Sequence, residues 1–247
     1  MHWSDEGIVI NTKRYGENRL IASVLTRDHG RHLGLLRQNP KTTLSFQPGC
    51  KMLVRWNARL EEHLGHWTSD IIYSPLVDIL DNRLRLAALN SACALLEISM
   101  PEREPHEDVY QSFETFIYTL STHLWPDAYI DLERTLLTNA GIKLDFSQCA
   151  STGSKENLIY VSPRSGRAVS KDAGKPYHDK LLTLPPFLTE NFDQSKVRDA
   201  KDILSALEMM ENFLERFILN VHHLKMPDAR HRFKDKLKSQ QPMVTNS

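Results

Sequence analysis

The sequence predicts an α+β fold in which a small closed β-barrel over residues 1–80 precedes an α-helical domain over residues 81–247. Three observations predict this arrangement. Apolar and β-branched runs separated by turn residues fill the first eighty residues, and apolar residues recur at helical spacing after Pro75. A stretch rich in Ser, Gly and Lys, at about 147–183, then interrupts the helical pattern.

Five short segments predict the strands of the barrel: 7–10, 20–26, 31–37, 51–60 and 66–73. Turn residues at 28–30 (Asp-His-Gly) and 47–49 (Gln-Pro-Gly) separate them. Five strands in about eighty residues, with no helical pattern between them, are typical of a barrel of the OB type.

The fourth predicted strand alternates most clearly. Its core-facing residues are Met52, Val54, Trp56, Ala58 and Leu60, and its outward-facing residues are Lys51, Leu53, Arg55, Asn57 and Arg59. Because side chains on a strand alternate between two faces, three cations should share the outer surface of the barrel.

Helical spacing predicts three helices from Asp81 to Ser99, from Glu107 to Leu124, and from Pro126 to a glycine cap at Gly141. A long amphipathic helix follows, with Ser195 as its expected N-cap and apolar residues from Ile203 to Val221. Within the interruption at 147–183, the segment 163–166 (Pro-Arg-Ser-Gly) next to the apolar run 158–161 predicts a hairpin.

Composition indicates a globular protein without membrane segments. The chain is 40% hydrophobic and 25% charged, with a mean hydropathy of −0.43, and no run approaches the roughly 18 apolar residues of a membrane span. The first sixteen residues carry acidic groups and lack an apolar core, so we expect no signal peptide. Cys50, Cys93 and Cys149 lie far apart, which favours free thiols in a reducing cytoplasm.

The formal net charge of zero conceals an uneven distribution. Between residues 11 and 59, ten Lys or Arg residues oppose only Glu17 and Asp28, a net charge of +8. A second basic cluster closes the chain, and its members are Lys225, Arg230, Arg232, Lys234, Lys236 and Lys238. Segregated positive charge favours a polyanionic partner, although a solvated protein face is an equally good interpretation of charge alone.

The basic barrel face is the strongest candidate site, because OB barrels hold single strands in a positive groove. The predicted DNA-binding residues are Lys13, Arg14, Arg19, Arg31, Arg37, Lys41, Lys51, Arg55 and Arg59. Trp56 and Trp67 should pack in the core, which leaves Trp3 and Tyr15 as the stacking candidates. With so few outward aromatics, phosphate contacts should dominate and give low sequence specificity.

The sequence carries no recognisable signal for catalysis or metal binding. It lacks a phosphate-binding GxxxxGK[ST] loop, a GxSxG elbow and an HExxH motif, and Cys149 has no CxxC partner. We therefore expect a non-enzymatic protein without cofactor or metal. An enzyme whose active site assembles from scattered residues remains an alternative.

Ordered motifs along nearly the whole chain resemble the RecO family. They are 3–9 (Trp-Ser-Asp-Glu-Gly-Ile-Val), 15–18 (Tyr-Gly-Glu-Asn), 25–31 (Leu-Thr-Arg-Asp-His-Gly-Arg), 47–49, 132–137 (Leu-Glu-Arg-Thr-Leu-Leu) with Gly141, and 160–169 (Tyr-Val-Ser-Pro-Arg-Ser-Gly-Arg-Ala-Val). The resemblance implies an OB-fold domain followed by a helical domain with an embedded zinc-finger-like module. Many members carry four zinc-binding cysteines in that module, whereas only Cys149 is present here, so we expect no zinc.

The resemblance also implies a function in the RecF pathway of DNA repair and recombination. It implies binding of single- and double-stranded DNA, annealing of complementary strands, and loading of RecA on DNA coated by single-stranded DNA-binding protein (SSB). The implied partners are RecR and the acidic C-terminal tail of SSB, and the implied location is the cytoplasm at the nucleoid.

The site for the SSB tail needs an apolar pocket rimmed by cations. Phe113, Phe116, Arg134 and Leu136 are the candidates, with packing in the helical core as the alternative interpretation. For the chain as a whole, a scaffold that binds acidic proteins without contacting DNA is the alternative function, and an unrecognised nuclease or transferase is a third.

Overall fold

The computed structural model of the protein describes residues 1–60, 63–193 and 195–240, except for the side chain of Lys41. The chain divides into two compact units, Met1–Ser121 and Thr122–Ser247. The first unit contains the five predicted strands and the helices up to residue 119. The predicted domain boundary at residue 80 stays a prediction, because the change from strands to helices and the division between compact units fall at different positions.

The five predicted strands are confirmed. They are β1 (His2–Arg14), β2 (Arg19–Thr26), β3 (Gly30–Arg37), β4 (Lys51–Asn57) and β5 (Gly65–Tyr73). They pair in the order β1-β2-β3-β5-β4, and β4 returns to β1 to close a barrel. Every pairing is antiparallel except β3 with β5. The fourth strand ends at Asn57, earlier than the predicted Leu60.

Alternation along the strands fills the barrel with a compact apolar core. Trp56 and Trp67 are 1% and 4% exposed, which confirms their predicted core positions. Their indole N–H groups donate to the backbone oxygens of Leu33 and Ala22 at 3.0 and 3.2 Å, so neither ring buries an unsatisfied donor.

The parallel junction between β3 and β5 depends on two glycines that pair directly, Gly34 and Gly65. A Cβ atom on Gly34 would lie 2.5 Å from the Trp67 ring, and one on Gly65 would lie 2.2 Å from the Trp56 ring. Only glycine lets the two indoles approach the backbone this closely, so these residues fix where β3 meets β5.

Four helices accompany the barrel in the first unit: α1 (Pro40–Ser45), α2 (Leu76–Ile79), α3 (Arg83–Ser99) and α4 (Glu107–Thr119). Helix α1 lies between β3 and β4, where the sequence showed no helical pattern. Asn39 caps it by accepting a hydrogen bond from the Thr42 N–H, and Asn82 caps α3 in the same manner.

The second unit is built on three longer helices: α5 (Trp125–Asn139), α7 (Ala200–Leu214) and α8 (Asp228–Gln240). Gly141 follows α5 with a φ of +84°, as the predicted glycine cap requires. The predicted N-cap at Ser195 is wrong. Asp199 caps α7, because its carboxylate accepts from the Lys201 N–H, while Ser195 donates to Asp193 instead.

The interruption of the helices folds into a small three-stranded sheet with the order β7-β6-β8. Its strands are β6 (Leu158–Val161), β7 (Ala168–Ser170) and β8 (Leu182–Thr183), with a short helix α6 (Lys171–Gly174) after β7. The predicted hairpin is confirmed as the antiparallel pair β6–β7, and Gly166 supplies a left-handed residue in its turn.

A buried ion pair joins α8 to α5 inside the second unit. Arg230 and Glu133 are 0% and 1% exposed, and the guanidinium contacts both carboxylate oxygens at 2.8 and 3.1 Å. Arg230 also donates to the Leu207 carbonyl on α7. The ion pair therefore links three helices. The sequence showed Arg230 only as a member of the C-terminal basic cluster and gave no sign of this buried contact.

Candidate nucleic-acid interface

Four exposed cations gather at the barrel end where β1 turns into β2. Lys13 and Arg14 end β1, Arg19 begins β2, and Arg37 ends β3. Arg19 and Arg37 are direct partners across the β2–β3 ladder, so two like charges lie on neighbouring strands. Such a placement is destabilising unless a polyanion neutralises it. We refer to Lys13, Arg14, Arg19 and Arg37 as the turn cluster.

The turn that carries the cluster is held by backbone hydrogen bonds, not by its side chains. The Tyr15 N–H donates to Arg19 O, and the Gln38 N–H donates to Asn18 O, both at 2.9 Å. Within the described ranges, no ion pair engages any of the four cations. They therefore retain their hydration and their capacity to bind phosphate.

An exposed aromatic ring and a further lysine lie next to the turn cluster in sequence. Tyr15, a predicted stacking candidate, is 52% exposed in the turn between β1 and β2. Lys41, a predicted DNA-binding residue, lies in α1 four residues after Arg37, and its side chain is outside the described part of the structure.

Lys51 is buried, so its predicted outward position is wrong. Its ammonium lies 2.8 Å from Glu6 Oε2 and 2.6 Å from Glu114 Oε1, and its side chain is only 9% exposed. Burial alone would lower the pKa of Lys51, but the hydrogen bonds to Glu114 and Glu6 outweigh it and raise that pKa. The physical reason is that Glu6 of β1 and Glu114 of α4 cover the outer side of β4 at this residue, so it does not face solvent.

Arg31 is also engaged within the protein. Its Nε donates to Met100 O at 2.9 Å, and its guanidinium lies 3.4 Å from Glu102 and 3.8 Å from Glu97. With 12% of its side chain exposed, it fastens β3 to the segment that follows α3. Its geometry therefore suits a structural contact better than a phosphate contact.

Arg55 and Arg59 are exposed, but they lie apart from the turn cluster. Arg55 pairs with Ser4 near the start of β1, whereas Lys13 is nine residues further along that strand, roughly 30 Å if fully extended. Arg55 also has a carboxylate neighbour, Asp70, at 3.4 Å. The nine predicted residues thus occupy several places and do not form one continuous face.

Three of the four candidate residues for binding the SSB tail lie in an apolar interior. Phe113 and Phe116 are 0% exposed in α4, and Leu136 is 2% exposed in α5. Arg134 is half-buried, with its guanidinium 5.2 Å above the Phe146 ring and 3.1 Å from Asp131. Core packing explains the three apolar residues, as the alternative interpretation held.

Sequence analysis gave Trp3 as a stacking candidate but missed the cluster that it forms with two histidines at the opposite end of the barrel. Trp3 stacks on His29 with ring centroids 4.0 Å apart and an angle of 4° between the planes. His32 meets Trp3 edge-on at 4.9 Å. Burial, and then the nearby Arg103 cation, lowers the pKa of His32 to about 4. The only available signal was the run from Asp28 to His32 at the turn between β2 and β3, which carries two of the eleven histidines.

A zinc site of four thiolates does not fit the small sheet of the second unit. Cys149 is the one cysteine in that unit, since Cys50 and Cys93 belong to the first. Burial would raise the pKa of the Cys149 thiol, but hydrogen bonds from Ser170 and Thr152 lower it to about 6. Across the described ranges, no group of three or more His, Cys, Asp or Glu side chains is placed to hold a metal ion.

No described helix is both long and apolar enough to cross a membrane.

Two family models together cover most of the chain. The model described as "Recombination protein O N terminal" matches residues 1–75, and "Recombination protein O C terminal" matches residues 80–223. Their ranges correspond to the barrel and to the helical region with its small sheet.

Curated proteins similar to this chain match it almost end to end. "DNA repair protein RecO" of Rhodospirillum centenum is 41% identical over 96% of this chain and 94% of its own length. The proteins of the same name from Caulobacter vibrioides and Ruegeria sp. are 38% and 39% identical, covering 93% and 96% of this chain and 95% and 98% of their own lengths. With both family models matched and full-length relatives well above 30% identity, the chain belongs to the recombination protein O (RecO) family.

Proposed function

We propose that this chain is a mediator of DNA repair and homologous recombination that binds DNA through the turn cluster. The observation that carries the proposal is the set of four exposed cations at one barrel end that have no ion-pair partner among the described residues, with Arg19 and Arg37 as direct neighbours. The names of its relatives, which are DNA repair proteins, point to the same biological role.

The strand order supports the assignment of the barrel to the OB type. The order β1-β2-β3-β5-β4, with a helix between β3 and β4, suits a five-stranded Greek-key barrel. Barrels of this type bind oligonucleotides at the β2–β3 face and at the loops β1–β2 and β4–β5. The turn cluster lies at the β1–β2 loop and at the adjoining ends of β2 and β3.

Phosphate contact explains why we expect the turn cluster to bind both single- and double-stranded DNA. Lys and Arg side chains hold the backbone of any sequence, so the cluster should accept single- and double-stranded DNA alike. Tyr15 adds one exposed ring on which a base of a single strand can stack. Neutralising phosphates on two complementary strands would lower the repulsion between them and favour annealing.

Family membership supports the finer functions of the chain. We propose that it promotes annealing, helps to load RecA on SSB-coated DNA, and binds RecR and the SSB tail. The tail site is better sought outside Phe113, Phe116 and Leu136, because all three lie in the apolar interior. The proposed place of action is the nucleoid in the cytoplasm.

Annealing of complementary strands coated with the cognate SSB tests the proposal. A triple variant, Arg14→Glu with Arg19→Glu and Arg37→Glu, should slow annealing at least tenfold, because each change replaces attraction to phosphate by repulsion. The matched control is Arg164→Glu with Lys171→Glu and Lys180→Glu, which makes the same charge change at exposed residues of the second unit. The control should anneal strands like the parent protein. Equal annealing by the triple variant and the parent would reject the turn cluster as the site.

A scaffold that binds acidic proteins uses the same cations, so competition distinguishes the two functions. A labelled single strand should be displaced by unlabelled DNA at far lower concentration than by an acidic peptide of equal charge. Preferential displacement by the peptide, together with no salt-sensitive DNA binding, would support the scaffold.

A further inference from the structure

A pocket of about 300 Å³ opens at the barrel end opposite the turn cluster. Its walls come from the start of β1, the turn between β2 and β3, Trp56 of β4, and the segment that follows α3. The volume lies at the lower limit of the ~300–1,000 Å³ typical of ligand sites. The pocket therefore suits one flat ring system better than a larger molecule.

One wall of the pocket is a preformed aromatic stack. Trp3 stacks on the His29 ring at 4.0 Å and on the Trp56 ring at 5.6 Å. His29 is held in place because its Nδ1 lies 3.0 Å from the buried carboxylate of Asp5. Because the contacts with Asp5 and Trp56 already fix its orientation, the stack loses little conformational freedom when a planar ligand binds.

A buried histidine lines the pocket. His32 is 6% exposed, and its Nδ1 is fully buried. Its depressed pKa keeps the ring neutral near pH 7, so it can both donate and accept. A neutral imidazole at the pocket wall can exchange one hydrogen bond with the polar edge of a ligand.

A strained loop brings a cation to the pocket. Arg103 lines it with a φ of +65°, a left-handed conformation that is uncommon outside glycine. Its N–H donates to Arg31 O at 2.8 Å, and the loop packs so closely that a Cβ on Gly30 would lie 2.1 Å from Glu104 O. Strain that the surrounding structure maintains is characteristic of functional positions.

We propose that this pocket receives a single nucleobase of a bound DNA strand, while Arg103 contacts the phosphate beside it. A base supplies a flat π-face for the stack and a polar edge for His32, and its neighbouring phosphate matches the guanidinium. An acidic peptide fits less well, because its carboxylates offer no planar π-face to the stack of Trp3 and His29. The inference rests on the proposed function, since it requires that the barrel bind DNA.

The test compares two oligonucleotides of about ten units, which is within the ~4–16 nucleotides that one OB fold covers. One carries thymine at every position, and the other has the same backbone with every base removed. Their phosphate charge is equal, so any difference in affinity comes from the bases. Fluorescence anisotropy of end-labelled strands should show that the parent protein binds the base-bearing strand about tenfold tighter.

Two variants probe the pocket by opposite routes. His29→Ala removes part of the stack, and His2→Trp fills the space from an exposed position at the start of β1. Both should reduce the affinity ratio towards one and leave the affinity for the abasic strand unchanged. If His29→Ala fails to fold, the pocket-filling variant still decides the question.

Arg103→Gly tests the phosphate contact without disturbing the loop, because glycine adopts the left-handed backbone readily. It should weaken binding of both strands and make the salt slope less steep by about 0.7, the value for one phosphate contact on a single strand. Asn157→Gly is the matched control: Asn157 has a φ of +52° but lies in the second unit, so its replacement should not alter DNA binding.

The outcomes separate the two proposals. A ratio near one in the parent protein, or a ratio that both pocket variants leave unchanged, would overturn the nucleobase pocket while the turn cluster remains a DNA site. Absence of salt-sensitive binding to either strand would overturn the proposed function and the pocket with it.

Discussion

At the scale of single residues, Lys51 shows how a surface pattern can conceal a buried ion pair. The alternation of β4 predicts that it faces solvent, yet Glu6 and Glu114 enclose its ammonium. A charge inside the first unit is tolerated only because two carboxylates compensate its lost hydration. Lys51 is therefore expected to support the fold without contributing to the DNA interface.

Replacing Lys51 with Met should lower the free energy of unfolding by about 2 kcal/mol, because Glu114 loses its counter-ion and Glu6 keeps only Arg27. This is less than the full cost of breaking a buried pair, since both carboxylates keep some contact with water. Urea denaturation measures the change, and Lys51→Met with Glu114→Gln should recover part of it. A stable Lys51→Met protein that binds DNA poorly would contradict this assignment.

His32 should make the stability of the first unit depend on pH. Its pKa is lowered to about 4 in the folded protein, below an unfolded value near 6.5, because burial disfavours the charged ring. Between these values the unfolded chain binds more protons, so the contribution of His32 to stability is complete above pH 6.5. It is lost as the pH falls towards 4.

The measurement is the free energy of unfolding of the parent and of His32→Gln from pH 7 to pH 4. The parent should lose up to about 1.4 kcal/mol per pH unit more than the variant. Parallel pH profiles would show that His32 titrates normally in the folded protein.

At the scale of elements, strand patterns predicted the barrel well because one face of each strand packs into a single core. Met52, Val54 and Trp56 all face inward as their spacing indicates. The pattern fails where residues distant in the sequence determine whether a side chain is buried or exposed. The carboxylate of Glu114 on α4 draws Lys51 inward, and Met100 and Glu102 engage Arg31. No local pattern carries information about these long-range partners.

Helix ends were harder to predict than helix interiors. Ser195 and Asp199 are both good capping residues, and only the observed backbone shows that Asp199 begins α7. Helix α8 was visible in the sequence only as a basic cluster. Its buried residues Arg230, Phe233 and Leu237 give a narrow apolar stripe that is interrupted by charge.

The glycine pair at the junction of β3 and β5 gives a prediction about strand pairing. Gly65→Ala should destabilise the protein by about 2–3 kcal/mol, because the added methyl group would overlap the Trp56 ring. Thermal or urea unfolding measures the loss. Thr68→Ala, at an exposed position of the same strand, should change stability little. Equal stability of the two variants would show that β5 can move away from the indole.

At the scale of the whole molecule, the placement of charges indicates a binding site better than the net charge does. The chain has 31 basic and 31 acidic residues, yet the turn cluster has no ion-pair partner among the described residues. The basic cluster at the C-terminus differs, because Arg230 and Lys234 are engaged by Glu133 and Glu211. Sequence could locate both clusters, but only the fold distinguishes available cations from those already paired.

The salt dependence of DNA affinity tests the turn cluster most directly. For single strands, the slope of log affinity against log salt is about −0.7 for each phosphate neutralised. Arg14→Glu with Arg19→Glu and Arg37→Glu should make this slope less steep by about 2 and weaken binding for all sequences alike. The charge-matched control in the second unit should retain the parental slope. An unchanged slope and affinity in the triple variant would contradict the assignment of the turn cluster as the DNA-binding site.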